Sequence, residues 1–371
     1  MSRRNTSPSP SRRAAAPRGR AELPLRPGES LRPPYSHIVG WGADVPRQAV
    51  TNEDVCTRID SSDAWIRART GIVTRHIAAP DESTETLAVG AARDALATAG
   101  LAAADIDLII CATNTFDVLV PNLACTVQRH LGARAAAAFD VQSACSGFVF
   151  ALAVATALQR TGRYRRALVV AAETMSRVVD WSDRNTCVLF GDGAGAVVLE
   201  ASDTPGGIIG FTLGSDGAQG DLIVLPIGLR HSGAIDGQAM CAPHVQLDGH
   251  EVFRFAVRIV GDVVRTLALD AGLALSDIDL VIPHQSNLRI LEAAARRIDV
   301  APERIYAHVH AHGNTSAASI PLALADAVRA GAVRGGDRIA LVGYGGGLSW
   351  GGCLIEWTAP TGTLNRATPK E

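Results

Sequence analysis

Long apolar runs are missing from this chain. None reaches the roughly 20 residues that a bilayer-spanning helix needs, so no transmembrane helix is expected. Also missing is any CxxC pair. The seven cysteines, at 56, 111, 125, 145, 187, 241 and 353, are scattered and odd in number. That speaks against a disulfide framework or a zinc site and for a reducing, cytoplasmic setting. No charge of either sign dominates: the formal net charge is −2. The chain as a whole is therefore not drawn to nucleic acid or to an anionic membrane, and any basic surface must be local. Lysine is nearly absent, Lys370 being the sole one. This reads as genomic base bias and not as a functional choice.

What is present suits a globular enzyme-sized chain. There are 371 residues, 47% apolar and 19% charged, long enough for two core-forming units or one large duplicated unit. Residues 1–34 stand apart. They are rich in Arg, Pro, Ser and Ala, with Glu22 and Glu29 as their only acids, and disorder is expected there. They have no apolar core of a secretory signal, although their composition superficially resembles an organelle transit peptide. Residues 361–371 are expected to form a short tail.

The chain is organised around Ala138-Phe139-Asp140-Val141-Gln142-Ser143-Ala144-Cys145-Ser146-Gly147-Phe148. The first half reads as a short buried strand, the second as a sharp turn on small residues. A breaker-free apolar run, Phe148 to Leu158, then has helical length. Cys145 would sit at a helix N-terminus, where free N–H groups and the helix dipole favour the nucleophilic thiolate. An inert core thiol is the competing reading.

Internal repetition comes next. Ala99-Gly100-Leu101 leading to Asp105-Ile106-Asp107-Leu108-Ile109-Ile110 is echoed 172 residues later by Ala271-Gly272-Leu273 and Asp277-Ile278-Asp279-Leu280-Val281-Ile282. Arg166-Ala167-Leu168-Val169-Val170 is echoed at the same offset by Arg338-Ile339-Ala340-Leu341-Val342. Gly193 to Glu200 resembles Gly351 to Glu356. A duplicated helix–strand unit follows, with halves over 35–205 and 206–360. Alternating helices and short β-branched strands give an α/β protein of five layers, α-β-α-β-α. Within it, an amphipathic helix is expected over Thr84–Ala99, stopped by Gly100, with a strand over Asp105–Cys111.

The second half carries chemistry that the first lacks. His284 follows a strand, where the repeat places Ala112 in the first half. His312-Gly313-Asn314-Thr315-Ser316-Ala317-Ala318-Ser319 is a second small-residue turn into a helix, matching the Cys145 turn. Asn314 can donate through its side-chain amide. Packing of the halves about a pseudo-twofold axis would bring Cys145, His284 and Asn314 together. Trp65, with arginines around it, is either a clamp for a flat ring and phosphates or a core residue at a helix end. His308, His310 and His312 alternate, so a strand would show all three on one face. A metal site is conceivable there, but no acid or cysteine flanks them at ligand spacing, and none is expected. Gly191-Asp192-Gly193-Ala194-Gly195 is read as a tight turn, since a strand follows it where a phosphate loop needs a helix. Gly345-Gly346-Gly347 is either a structural bend or a place where backbone N–H groups approach a ligand.

Taken in this order and spacing, these motifs resemble β-ketoacyl-acyl carrier protein synthase III, an initiating condensing enzyme of the thiolase superfamily. The resemblance runs from about Ser36 to Trp357. It implies a thiolase-like fold, a Cys145 nucleophile that takes an acyl group from acyl-CoA, and an oxyanion hole from the N–H groups of Cys145 and Gly346. It implies that His284 and Asn314 support decarboxylation of a malonyl thioester on acyl carrier protein. Trp65 and Arg184 would sandwich the CoA adenine, with Arg69 near the phosphates; Gly249 and Asn287 would line the pantetheine tunnel, with Arg289 beside them. Arg254, Arg289, Arg296 and Arg297 would dock the acidic carrier protein. Val120 stands where an acetyl-selective relative has phenylalanine, which suggests room for a longer or branched primer in a neighbouring subunit's acyl pocket. A homodimer with no cofactor is implied. The alternative is a relative that moves the acyl group to an alcohol, an amine or a carrier protein without condensation.

Overall fold

The computed structural model describes residues 34–226 and 244–359. The extension expected over 1–34, Pro34 apart, and the tail at 361–371 lie outside the described residues, as does Cys241. The chain opens with β1 (Tyr35–Asp44), β2 (Gln48–Thr51), α1 (Asn52–Cys56), α2 (Asp63–Thr70), β3 (Thr74–Ile77), α3 (Thr84–Ala99) and β4 (Leu108–Ala112). It continues through α4 (Leu123–Leu131), β5 (Ala137–Val141), α5 (Gly147–Gln159), β6 (Arg166–Thr174), β7 (Asp192–Ser202) and β8 (Gly207–Ser215). Then follow β9 (Ile223–Val224), β10 (Gln246–Leu247), α6 (Gly249–Asp270), β11 (Leu280–Pro283), α7 (Leu288–Ile298) and α8 (Val309–His312). The described part closes with α9 (Ser319–Arg329), β12 (Arg338–Gly345) and β13 (Ser349–Glu356).

Local sequence explains the element ends. The Ser83 hydroxyl caps α3 by accepting from Thr86 N, and Gly100 ends the helix in the left-handed region at φ 66°. These are the start and stop expected for Thr84–Ala99. The strand expected over Asp105–Cys111 starts later, at Leu108, because Ala103–Asp105 wind into a short 3-10 turn.

Two mixed sheets carry the fold, one in the order β1-β7-β6-β4-β5 and one in the order β11-β12-β13-β8. The repeat seen in the sequence is a repeat of pairings. β4 runs parallel to β6 with Leu108 opposite Ala167, and β11 runs parallel to β12 with Leu280 opposite Ile339. In the antiparallel pairs Arg166 faces Glu200 and Arg338 faces Glu356. The counterpart of β5 in the second half is reduced to a single bridge between Val281 and Ile305.

Apolar faces sort the helices into layers. Phe148 and Leu152 of α5 and Ile320 and Leu324 of α9 share one core with Ile110 and Val169 of the first sheet and Ile282 and Leu341 of the second. α5 is apolar almost all round, as a helix covered on every side must be. α3 and α4 cover the outer face of the first sheet, and α6 and α7 that of the second. The result is the expected α-β-α-β-α stack. Each large side chain buried this way contributes about 1.5–3 kcal/mol. The fit of α3 on β1 is close: a Cβ at Gly42 would lie 2.3 Å from the Ala91 carbonyl oxygen.

Two expectations need correction. β5 is an edge strand of the sheet, and its residues are half-exposed or exposed instead of buried. Asp192 to Gly195 is not a turn but the start of β7. Its glycines answer to packing, since a Cβ at Gly195 would lie 2.6 Å from Leu322 N at the start of α9.

Candidate active site

Cys145 sits where expected, on a 3-10 turn (Ala144–Ser146) between β5 and α5. Ala144 is forced to φ 44°, and Ser316, 172 residues later on the matching turn before α9, to φ 50°. Left-handed backbone at non-glycine residues is strained, and such strain concentrates at functional sites. The two turns meet: Cys145 Sγ lies 3.4 Å from Ser316 Oγ.

The Gly345–Gly347 turn presses on the Cys145 backbone. A Cβ at Gly345 would come within 2.9 Å of Cys145 N, so only glycine fits there. Ser349 Oγ ties the turn to the elbow, donating to Gly346 O at 2.8 Å and standing 2.9 Å from Ser146 Oγ.

His284 directly follows β11 and is buried. Burial pushes its imidazole down to about 3, so the ring is neutral at physiological pH. Its Nδ1 is 2.6 Å from Ser319 Oγ. Ser319 is buried at the first turn of α9 and also accepts a bond from Gln285 N at 3.3 Å. The Ser319 hydrogen has no other acceptor among the described residues. Satisfying every group therefore places the Ser319 O–H toward Nδ1 and the ring proton on Nε2. Tyr344 meets the His284 ring edge-on at 5.1 Å and donates to the His284 carbonyl at 3.3 Å.

Asn314 is held through three bonds. Its N–H donates to Leu189 O at 2.8 Å, its carbonyl accepts from Gly191 N at 3.1 Å, and its Oδ1 accepts from Ser316 N at 2.9 Å. The last bond fixes which amide atom is oxygen and leaves the Nδ2 amide as the remaining donor.

One expectation about Cys145 changes. Burial pushes its thiol up to about 12, against the lowering effect of the Ser316 hydroxyl, and the Glu173 carboxylate raises it further. Burial thus works against the thiolate that a helix N-terminus was expected to favour. Glu173 is itself fully buried and bound by Asn114 N at 3.0 Å, Asn114 Nδ2 at 2.6 Å and Thr115 Oγ1 at 2.6 Å. Glu173, Ser316 and Ser319 have no role in the sequence reading. The offset of 172 would have found Ser316, the counterpart of Ala144. Nothing local marks Glu173, a single acid inside a strand.

Cys145, His284 and Asn314 line one cavity of about 1550 Å³. Trp65, Arg69, Gly249, Arg254, Asn287, Arg289 and Gly346 line it too. Asn287 has a structural task as well: it caps α7 by accepting from Arg289 N at 2.9 Å and donates to Arg69 O at 3.1 Å. Arg184 does not line the cavity. Its guanidinium already covers the Trp65 ring at 5.0 Å, so a base held between the two requires Arg184 to swing out. Arg296 and Arg297 are exposed on α7 away from the cavity, and Arg297 stands 3.9 Å from Asp262. Val120 is 81% exposed and outside its own chain's cavity. Cys353 is fully buried in β13.

The histidines at 308–312 do not lie on a strand. They form α8, a single helical turn with His308 as its cap.

The chain is similar to known proteins over most of its length. Residues 139–217 match the family model described as 3-oxoacyl-[acyl-carrier-protein (ACP)] synthase III, and residues 269–357 match that of its C-terminal part. A relative from Roseiflexus sp. (strain RS-1), named beta-ketoacyl-[acyl-carrier-protein] synthase III, is 48% identical over 326 residues, 88% of this chain and 99% of its own. The crystal structure of 3-oxoacyl-[acyl-carrier-protein] synthase III from Aquifex aeolicus VF5 superposes with a TM-score of 0.81 at 39% identity, covering 87% of this chain and 100% of that one. The priming β-ketosynthase of the R1128 polyketide pathway superposes with a TM-score of 0.84 at 39% identity, covering 90% and 100%.

Proposed function

Because the chain belongs to the 3-oxoacyl-[acyl-carrier-protein] synthase III family, with its thiolase-like fold, we propose that it catalyses the initiating condensation of fatty-acid or polyketide assembly. The observation that carries this is the convergence of Cys145, a neutral His284 and the Asn314 amide in one cavity. The Cys145 sulfur attacks the carbonyl of an acyl-CoA, the thiol proton leaves with the CoA sulfur, and an acyl-cysteine thioester remains. N–H groups of Cys145 and Gly346 stabilise the oxyanion of that step.

A malonyl group on acyl carrier protein then enters. His284, protonated at Nε2, and Asn314 Nδ2 donate to its thioester carbonyl. As the C–C bond to CO2 breaks, its electron pair forms the enolate, whose charge these two fixed donors hold. The enolate carbon attacks the acyl-Cys145 carbonyl and expels the Cys145 thiolate. The product is a 3-oxoacyl-carrier protein, and no cofactor enters any step. A bare acyl transfer has no need of paired donors at a second carbonyl, which weighs against that alternative.

Trp65 and Arg69 at the cavity wall suit a CoA nucleotide, with Arg184 closing over it after displacement. Gly249, Asn287 and Arg289 suit the pantetheine arm. Arg254, Arg289, Arg296 and Arg297 are all exposed and suit an acidic carrier protein. The open edge of β5 lies in the same half as the exposed Val118, Leu119 and Val120. Both favour pairing with a second copy, in which Val120 would reach the partner's acyl pocket and leave room for a primer larger than acetyl. No helix among the described residues is long and apolar enough to cross a membrane, in keeping with a cytoplasmic enzyme. The test is direct: acyl-CoA must label Cys145, and malonyl-carrier protein must discharge the label as a 3-oxoacyl product.

A further inference from the structure

The reaction above leaves α8 unused. His308 and His312, four residues apart, share one face of this single turn. Asp326 reaches them from α9, fourteen residues further along the chain from His312 and so invisible to any local spacing rule. Asp326 Oδ2 lies 2.6 Å from His308 Nδ1 and 3.6 Å from His312 Nε2. One donor atom of each residue lies within 4.8 Å of the other two. The two imidazoles meet edge to face at 4.5 Å. His76 stands 5.3 Å from His312, and His310 5.6 Å from His308.

Pairing of Asp326 with the two imidazoles accounts for part of this cluster and not for all of it. His312 Nδ1 is buried without a partner, and Asp326 Oδ2 is buried without an aligned donor, although two ring nitrogens stand beside it. A buried polar atom left unpaired, as His312 Nδ1 is, costs about 1–3 kcal/mol. The side chains of His308, His312 and Asp326 are 18%, 15% and 25% exposed, which leaves a way in for a small ion.

We infer that His308, His312 and Asp326 form a binding site for one divalent transition-metal ion of the zinc type, with the fourth position open to water. Two imidazoles and one carboxylate select zinc, cobalt, nickel or copper over magnesium or calcium, whose preferred ligands are oxygens. With bonds of about 2.0–2.2 Å, tetrahedral donors stand about 3.3 Å apart. The His312–Asp326 pair at 3.6 Å already fits, the His308–Asp326 pair at 2.6 Å must open by under about 1 Å, and the two imidazole donors, within 4.8 Å of each other, must come to a similar spacing. The ion takes no part in bond making. It joins α8 to α9, and so the segment entering Asn314, two residues after His312, to the helix that begins with Ser319, the partner of His284. Its role is to brace both enolate donors.

The experiment titrates zinc into the full-length protein against a chromophoric chelator, with Cys145 alkylated so that its sulfur cannot compete. Expected are one zinc per chain, no competition from magnesium, and at least about tenfold weaker binding in His308→Gln and in Asp326→Asn. Zinc should raise the thermal midpoint of the unsubstituted protein and not that of either variant. Cobalt in place of zinc should give tetrahedral ligand-field bands without thiolate charge transfer. His308 is partly exposed at the helix cap, so His308→Gln keeps the test valid if Asp326→Asn fails to fold. Absence of saturable zinc binding, or binding unchanged in His308→Gln, overturns the inference.

Discussion

Ser316 Oγ stands 3.4 Å from Cys145 Sγ, each on a turn held in left-handed backbone, and the two turns occupy equivalent places in a duplicated chain. One copy kept the nucleophile. The other kept a hydroxyl that steadies it and, two residues earlier, the Asn314 amide.

Removing that hydroxyl should slow acylation. The Ser316 hydroxyl lowers the Cys145 thiol against burial. A hydrogen bond to a charged group is worth about 1.5–3 kcal/mol, so Ser316→Ala should cut the acylation rate by roughly tenfold or more near neutral pH. Stopped-flow release of CoA measures it. An unchanged rate would remove Ser316 from the account.

Ser319 should separate the two half-reactions. Its hydroxyl holds the His284 tautomer that presents Nε2–H. Ser319→Ala should leave acyl-cysteine formation within about twofold and slow malonyl decarboxylation by roughly 10²-fold, the scale of losing one oxyanion donor. Equal loss in both steps would show that Ser319 serves the fold alone.

The burial of His284 also makes a statement about acid stability. Its folded value of about 3 lies below the unfolded value of about 6.5. As pH falls below about 6.5 the unfolded chain takes up a proton that the folded chain refuses, so stability is lost at up to about 1.4 kcal/mol per pH unit until about pH 3. Above about pH 6.5 this penalty is absent. Urea titrations of the natural chain and of His284→Asn at pH 7 and pH 5 should show the natural chain losing about 1–2 kcal/mol more on acidification. Equal losses would mean that His284 is solvated.

Arg254 is exposed beside the cavity mouth and paired only with Glu251 among the described residues. Arg254→Glu should raise KM for malonyl-carrier protein about fivefold to tenfold at low salt, leave kcat nearly unchanged, and lose most of that effect at high salt. Acylation by acyl-CoA should not change. A KM that does not move would place the carrier protein elsewhere.

Much of this architecture was legible because the repeat fixes pairings: Leu108 and Leu280, or Arg166 and Arg338, occupy the same register in their sheets. Cys145, His284 and Asn314 were legible because each stands in a distinctive local motif. Other features depend on distance along the chain. Asp326 joins His308 and His312 only through the packing of α9 on α8, and alternation suggested a strand where the structure has a helical turn. The elevated Cys145 thiol follows from how much water the fold excludes, which no motif states. β5 reads as buried from its apolar residues, yet its outer edge is open.

The central claim is that Cys145 carries an acyl group to an enolate made beside it. Intact-protein mass spectrometry tests it most directly, with a panel of acyl-CoAs added first and malonyl-carrier protein second. The account predicts one acyl adduct on the natural chain, none on Cys145→Ala, and its disappearance as a 3-oxoacyl-carrier protein forms. The adduct should persist in His284→Ala and Asn314→Ala. An adduct released only by an alcohol or an amine, or condensation at the normal rate in His284→Ala, would contradict it.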